Sequence, residues 1–275
     1  MPFLPVDRPL GIPFIELQSV DSTNNYALAQ VHANLAQPGT CYFAHEQTAG
    51  KGQRGKSWAT EKGTNITLSI VLNPGFLLPV QQFQLSACVA VATHNFLNKH
   101  AGKTIRIKWP NDLYWEDRKL GGILIENVIG GTTNSKQRAT EPGQSSSITG
   151  HQSPGWKWAI IGIGLNINQT EFPVDLKNPV SLKQITGQQF DTVNLARDLC
   201  RLIDHFYKQL MNEGAAAILK MYNEVLYKKN EIVKFKRDNR IFEAIVKEVS
   251  GTGQLTLQHA TDEKFDFGEV EWLLG

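Results

Sequence analysis

The chain has 275 residues, of which 41% are hydrophobic and 20% are charged, and its formal net charge is +2 at pH 7. These values are typical of a globular protein and exclude disorder, collagen and a coiled coil as descriptions of the whole chain. So small a net charge supplies no strong field toward nucleic acid or an anionic membrane, and we expect neither as a partner.

The N-terminal residues, the short apolar runs and the cysteines predict a reducing compartment. Residues 1–8 lack the basic-then-apolar order of a signal peptide, and apolar runs such as 158–165 fall well short of the roughly 20 residues that span a bilayer. Cys41, Cys88 and Cys200 are odd in number and widely spaced, which favours buried thiols over disulfides or a zinc site. We therefore expect a cytoplasmic protein.

In chain order, local patterns predict helices alternating with strands. The first helix begins at Ser22 or Thr23 and ends before Pro38-Gly39. Strand-like runs and helical periodicity follow, and Pro79 opens the second helix. The remaining predicted elements are strands at 40–44, 66–70, 104–108, 120–126 and 156–163, and helices at 79–97 and 191–227.

Two segments differ from this alternation. Residues 130–155 are rich in Gly, Ser, Thr and Gln, which predicts a flexible loop inserted between two strands. From residue 231 onward, short alternating runs are separated by turn signals, which predicts a small all-β barrel. We therefore predict a catalytic domain over 1–228 and a C-terminal domain over 229–275.

The segment from Gly50 to Ser57 fits two nucleotide-binding patterns, GxGxxG and GxxxxGK[ST]. Both patterns require a helix directly after the loop, because the phosphate binds at the helix N-terminus. Here Gly63 and then a strand pattern follow, so both patterns lack their context. The glycines and the charges of Lys51, Arg54 and Lys56 still suit an anion, although a solvated hairpin loop would look the same.

Three further segments carry candidate site residues. Lys108-Trp109-Pro110-Asn111-Asp112 ends a strand in a stiff turn that projects Asn111 and Asp112, or is a plain β-turn. Lys119 opens an apolar strand, where it lies at a pocket mouth or on the surface. In 161–168, glycines alternate along a strand that ends in Asn166, whose amide can meet a base edge or close a polar turn.

Taken together, five segments resemble the ordered motifs of biotin protein ligases, over nearly the whole chain from about residue 14. The segments are 21–24, 46–58, 108–112, 119–126 and 162–168. The resemblance implies an α+β fold: a mixed central sheet with helices, like the class II synthetase-like core of biotin and lipoate ligases, followed by an SH3-like β-barrel. It also implies a ligase that uses ATP and Mg²⁺.

The implied reaction has two steps. The biotin carboxylate attacks the α-phosphate of ATP, giving biotinyl-5′-adenylate and pyrophosphate. A lysine of a biotin carboxyl carrier protein, an acetyl-CoA carboxylase subunit, then takes the biotinyl group and releases AMP. This chemistry needs cations where two anions meet.

Site residues carry over by position in the motifs. Lys119 and Asp112 are the implied catalytic residues, with Asp112 as a general base or a neighbour of the metal. No cluster of metal ligands is expected, since Mg²⁺ would arrive with ATP. The implied biotin-binding residues are Ser22, Thr23, Asn24, Gln47, Gly50, Lys51, Gly52, Gln53, Lys119 and Gly121. The implied adenylate-binding residues are Lys51, Gly52, Arg54, Lys56, Trp58, Lys108, Asn111 and Asn166.

Two departures from the family pattern bear on these expectations. Lys51 and Gln53 stand where the family commonly has arginines, so bidentate arginine contacts do not carry over. Only some twenty residues precede Ser22, so we expect the ligase-only type, as a monomer or homodimer, without a DNA-binding domain. A lipoate–protein ligase is the nearest alternative, and a P-loop NTPase or a DNA-binding biotin sensor is more distant.

Overall fold

The structure is a computed structural model that describes residues 8–102, 104–130 and 155–273. Its helices are α1 (Thr23–His32), α2 (Gln82–Ala101), α3 (Leu182–Thr186), α4 (Thr192–Glu213) and α5 (Ala216–Glu224). Its strands are β1 (Phe14–Leu17), β2 (Cys41–Ala44), β3 (Ile66–Leu72), β4 (Ile105–Lys108), β5 (Asp112–Trp115), β6 (Arg118–Ile129), β7 (Trp156–Leu165), β8 (Ile232–Arg237), β9 (Arg240–Val249), β10 (Leu255–Gln258), β11 (Asp262–Phe265) and β12 (Glu271–Leu273).

A seven-stranded sheet in the order β1-β2-β3-β7-β6-β5-β4 forms the centre of the larger part. The β1–β2 pair is parallel and the other pairs are antiparallel. The sheet is therefore mixed, which confirms the α+β class. The predicted loop 130–155 connects β6 to β7, and apart from Gly130 and Gly155 it lies outside the described residues.

Helices cover both faces of this sheet. On one face, α2 and α4 pack over the large core, to which β3 contributes Ile66, Leu68 and Ile70. On the other face, α1 packs over a small cluster that includes Val71. Because side chains of a strand alternate between faces, Thr67 and Ser69 lie on the α1 face. That face carries the polar cleft described below.

Residues 232–273 form a five-stranded antiparallel sheet in the order β11-β10-β9-β8-β12. Its buried residues, such as Phe235 and Leu257, belong to the same core cluster as the larger part. Trp109 Nε1 donates to Gly253 O, in the turn between β9 and β10, at 2.9 Å, so this sheet packs beside the turn before β5. The closure of the sheet into a barrel and the 228/229 boundary stay predictions.

Several predicted elements differ in detail. The helical block 191–227 is two helices, because Gly214 adopts a φ of 78° and ends α4. Asp112 is the first residue of β5 rather than a loop residue. The strand β1 carries too short a pattern to be predicted. All three cysteines are free and buried, as expected. No helix among the described residues is long and apolar enough to cross a membrane.

Candidate functional site

A cleft of about 1700 Å³ opens on the α1 face of the sheet and extends to the C-terminal sheet. The strands beneath it lack bulk, because Gly162 and Gly164 of β7 and Gly122 of β6 lie on this face. A Cβ on Gly162 would collide with the Asn24 amide, and one on Gly164 would lie 2.5 Å from Trp58 Cε2. The glycines therefore let α1 and Trp58 approach the sheet closely.

One end of the cleft is a buried polar network at the N-terminus of α1. The backbone N and Oγ1 of Thr23 donate to Gln47 Oε1 at 2.8 and 3.1 Å. Ser69 Oγ lies 2.6 Å from Asn24 Oδ1 and 2.8 Å from Thr23 Oγ1. Asn24 Nδ2 donates to Glu126 Oε2 at 2.7 Å. These contacts fix the orientation of both amide side chains, so the network is preorganised for a polar ligand.

Ser69 and Glu126 are not among the residues that the sequence singles out for the site. A polar residue on the alternate face of an apolar strand is the one local signal that Ser69 carries. Glu126 also pairs with Lys51, whose Nζ lies 3.9 Å from its Oε1. Glu126 therefore links the polar network to the glycine-rich loop.

The middle of the cleft holds an ion pair between the two predicted catalytic residues. Lys119 Nζ lies 2.8 Å from Asp112 Oδ1, and both side chains are partly exposed. Strand pairing places Gly122 opposite Asp112, and a Cβ on Gly122 would lie 3.0 Å from Asp112 Oδ1. The absent side chain leaves room for the pair and for access to it.

The aromatic ring of Trp58 and the side chain of Lys108 lie next to this pair. Lys119 Nζ is 5.8 Å from the centroid of the Trp58 ring, whose buried Nε1 has no acceptor among the described residues. Burial is the main cause that lowers the pKa of Lys108 to about 8; the charges of Lys119 and Lys56 act in the same direction, and the charge of Asp112 acts against them. The middle of the cleft is therefore rich in positive charge at low and neutral pH.

The glycine-rich loop forms a short hairpin beside the cleft. Gly52 N donates to Lys56 O at 2.7 Å, and Lys51 pairs with Ser57. A single 3₁₀ turn, Gln53–Gly55, forms its tip, and the next element is β3. The absence of a following helix agrees with the rejection of both nucleotide-binding patterns.

Most of the predicted site residues meet in this one cleft. The cleft is lined by Ser22, Thr23, Asn24, Gln47, Lys51, Gly52, Gln53, Arg54, Lys56, Trp58, Lys108, Asp112, Lys119 and Asn166. Three predicted residues are not in its lining: Gly50, Asn111 and Gly121. A Cβ on Gly121 would meet Leu165 on the core side, whereas the neighbouring Gly122 faces the cleft.

The two asparagines predicted to bind the adenylate make backbone contacts that stabilise the rim of the cleft. Asn111 is buried, and its Nδ2 donates to Ile123 O while its Oδ1 has no partner among the described residues. Asn166 Nδ2 donates to Val180 O at 3.1 Å. The described residues contain no group of three or more His, Cys, Asp or Glu that could hold a metal ion.

Comparison with known proteins identifies the family of this chain. A family model for the biotin/lipoate A/B protein ligase family matches residues 16–137. The biotin–[acetyl-CoA-carboxylase] ligase of Paracoccus denitrificans is 30% identical over 210 residues, which are 74% of this chain and 76% of that protein. The chain belongs to the biotin protein ligase family. The resemblance to biotin protein ligases is thus confirmed.

Other members of the family are longer. The bifunctional ligase/repressor BirA of Bacillus spizizenii is 31% identical over 205 residues, covering 73% of this chain and 56% of that protein. The BirA of Escherichia coli is 28% identical over 246 residues, covering 88% of this chain and 68% of that protein. The chain therefore spans about half the length of the first of these relatives.

The ligase fold is also found in solved structures. The biotin protein ligase of Aquifex aeolicus in complex with biotin and ATP matches with a TM-score of 0.73 and 23% identity, over 95% of this chain and 98% of that one. The Leishmania major ligase in complex with biotinyl-5-AMP matches with a TM-score of 0.57 and 20% identity, over 92% and 98%. The match extends over both the seven-stranded and the C-terminal sheet.

Proposed function

We propose that this protein uses ATP to attach biotin to a lysine of a biotin carboxyl carrier protein, through biotinyl-5′-adenylate. The observation that carries the proposal is the position of Lys119. Its ammonium group lies 2.8 Å from Asp112 Oδ1 and 5.8 Å from the centroid of the Trp58 ring, in the same cleft as the polar network at α1. A cation at this point stabilises the two anions that must meet when a carboxylate attacks a phosphate.

The polar end of the cleft takes the biotin head group. Ser22, Thr23, Asn24 and Gln47 carry hydroxyl and amide groups that can donate to and accept from a ureido ring. Ser69 and Glu126 hold these side chains in place. The backbone of Gly50, Lys51, Gly52 and Gln53 then lies along the biotin chain. A lipoate ring offers no ureido groups to pair with this network, so biotin is favoured.

The other end of the cleft takes the nucleotide. Trp58 lies against the adenine, with its ring held close to Gly164 of β7. Lys56 and Lys108 bind phosphate oxygens. Asn166 shapes the adenine side by holding the rim at Val180, and Asn111 supports the turn that carries Asp112.

Adenylation forms a bond from a biotin carboxylate oxygen to the α-phosphorus and breaks the bond to pyrophosphate. Lys119 stabilises the charge that develops on the α-phosphate, as positioned cations do in phosphoryl transfer. In the second step the neutral amine of the acceptor lysine attacks the acyl carbon, and AMP leaves. Asp112 accepts the proton that this amine loses, because its carboxylate lies beside the reacting centre.

Mg²⁺ enters the site with ATP. One carboxylate plus substrate phosphates is a common Mg²⁺ environment, and Asp112 provides that carboxylate. When bound, the ion would neutralise charge on the phosphates. We further propose that residues 229–275 form an SH3-like barrel domain beside the catalytic domain, and that the protein acts as a monomer or homodimer.

ATP–pyrophosphate exchange tests the proposal directly. We expect exchange with biotin, none with lipoate and none without either acid. Exchange with lipoate but not biotin would assign a lipoate ligase, and ATP hydrolysis that needs neither acid would assign an NTPase. Mass spectrometry of a carrier domain incubated with ATP and biotin should then show one biotinyl group on one lysine.

A further inference from the structure

The side chain of Arg54 binds to the C-terminal sheet. Its Nη2 donates to Phe267 O at 2.9 Å, and its guanidinium carbon lies 4.4 Å from the centroid of the Phe267 ring. Phe267 and Gly268 belong to the turn between β11 and β12. The contact therefore joins the tip of the glycine-rich loop to a turn 213 residues further along the chain.

Gly268 leaves the space that the Arg54 guanidinium occupies. It has a φ of 97°, which only glycine adopts readily, and a Cβ built there would coincide with Arg54 Nη2. The guanidinium thus occupies space that any other residue at 268 would fill. The contact combines a charge-assisted hydrogen bond with a cation–π interaction, which a planar guanidinium makes and an ammonium does not make in the same way.

Phe267 also reaches the catalytic turn. Its ring packs edge-on against Trp109 at 5.7 Å between centroids, and Trp109 lies three residues before Asp112. The turn at Phe267 therefore contacts both the glycine-rich loop and the segment that carries the predicted base. Arg54 itself has a φ of 55°, an unusual conformation for a residue with a side chain. This conformation is part of the turn at the tip of the loop.

We propose that Arg54 is a positioning residue, which clasps the loop 50–56 to Phe267 and Gly268 and so keeps the loop in place at the edge of the cleft. This proposal rests on the function proposed above, and it replaces the direct contact between Arg54 and the adenylate that the family resemblance implies. Because the loop is held at its tip, the reactive acyl phosphate is retained and water is kept away from it. The C-terminal sheet thereby helps to complete the site.

The variant Gly268→Ala tests the clasp without changing the loop. It fills the space that the guanidinium occupies, whereas the matched control Gly214→Ala has a similar positive φ of 78° and, in the part of the chain that the structure describes, no atom within 4 Å of its added Cβ. We expect trypsin to cleave ligand-free Gly268→Ala after Lys51 and Lys56 about tenfold faster than wild type, since the two interactions of Arg54 are lost. Gly214→Ala should be cleaved like wild type. Equal rates for Gly268→Ala and wild type, with both folded by thermal melting, would overturn the clasp.

Release of preformed biotinyl-adenylate gives the functional readout. We expect Gly268→Ala and Arg54→Ala to release it faster by similar factors while the KM for ATP changes little, and Arg54→Lys to recover only part of the retention. A raised KM for ATP in Arg54→Ala but not in Gly268→Ala would instead assign Arg54 to the phosphates and refute the proposal. The trypsin result does not need biotin chemistry, so it stands or fails separately from the proposed function.

Discussion

Two glycines on one face of β7 allow each end of the cleft to be perturbed separately. Gly162 faces Asn24 and Gly164 faces Trp58, and the two lie two residues apart on the same strand. An added methyl group at Gly164 would lie 2.5–2.9 Å from three atoms of the Trp58 ring, so the ring must move off the strand. The same methyl group at Gly162 would displace the Asn24 amide.

The expected effects follow from the interactions that are lost. Stacking of a base on an aromatic ring contributes about 1–3 kcal/mol, so Gly164→Ala should raise the KM for ATP by about 5- to 150-fold. An Asn24 amide displaced from Glu126 and Ser69 no longer pairs with the ureido ring, and a buried polar group left without its partner costs about 1–3 kcal/mol. Gly162→Ala should therefore raise the KM for biotin by a similar factor.

Biotin-dependent ATP–pyrophosphate exchange measures both constants in both variants. Gly155→Ala is the control, because its added Cβ has no neighbour within 4 Å among the described residues. Each variant should be checked for folding by thermal melting. If Gly164→Ala raised mainly the KM for biotin, or if both variants changed both constants equally, the division of the cleft into a biotin end and a nucleotide end would be wrong.

Other perturbations test individual charges. Lys119→Ala should lower the rate of adenylate formation about 100-fold or more, since a lost cation costs ~3 kcal/mol in such a transition state. The control Lys62→Ala removes a lysine from an exposed ion pair and should leave the rate unchanged. Near-wild-type exchange in folded Lys119→Ala would show that Lys119 is not catalytic. The pKa of Lys108 is about 8, so its positive charge is lost as the pH rises through 8 and kcat/KM for ATP should fall there. Lys108→Arg should move that fall to higher pH. An unchanged pH profile in Lys108→Arg would show that a different group controls it. A net charge of +2 predicts no sequence-specific DNA binding, and a gel shift that survives about 0.15 M salt would contradict this.

Local sequence patterns were sufficient for most of the fold. The periodicity of β3, β7 and α2 is strong because each buries a full face, and the order of the motifs identified the family. The short edge strand β1 and the strand β5, which follows a proline turn, carry too few residues for a clear period. The break between α4 and α5 depends on one glycine, which a helical pattern tolerates.

Only the tertiary structure decided how the site is assembled. Ser69 becomes part of the polar network because β3 lies beside α1, and Gly122 rather than Gly121 faces the cleft because of the register between β6 and β7. The contact between Arg54 and Phe267 joins residues 213 positions apart. Local sequence encodes the secondary-structure preference of each segment. Such pairings arise only when the whole chain packs around one core, so no local pattern predicts them.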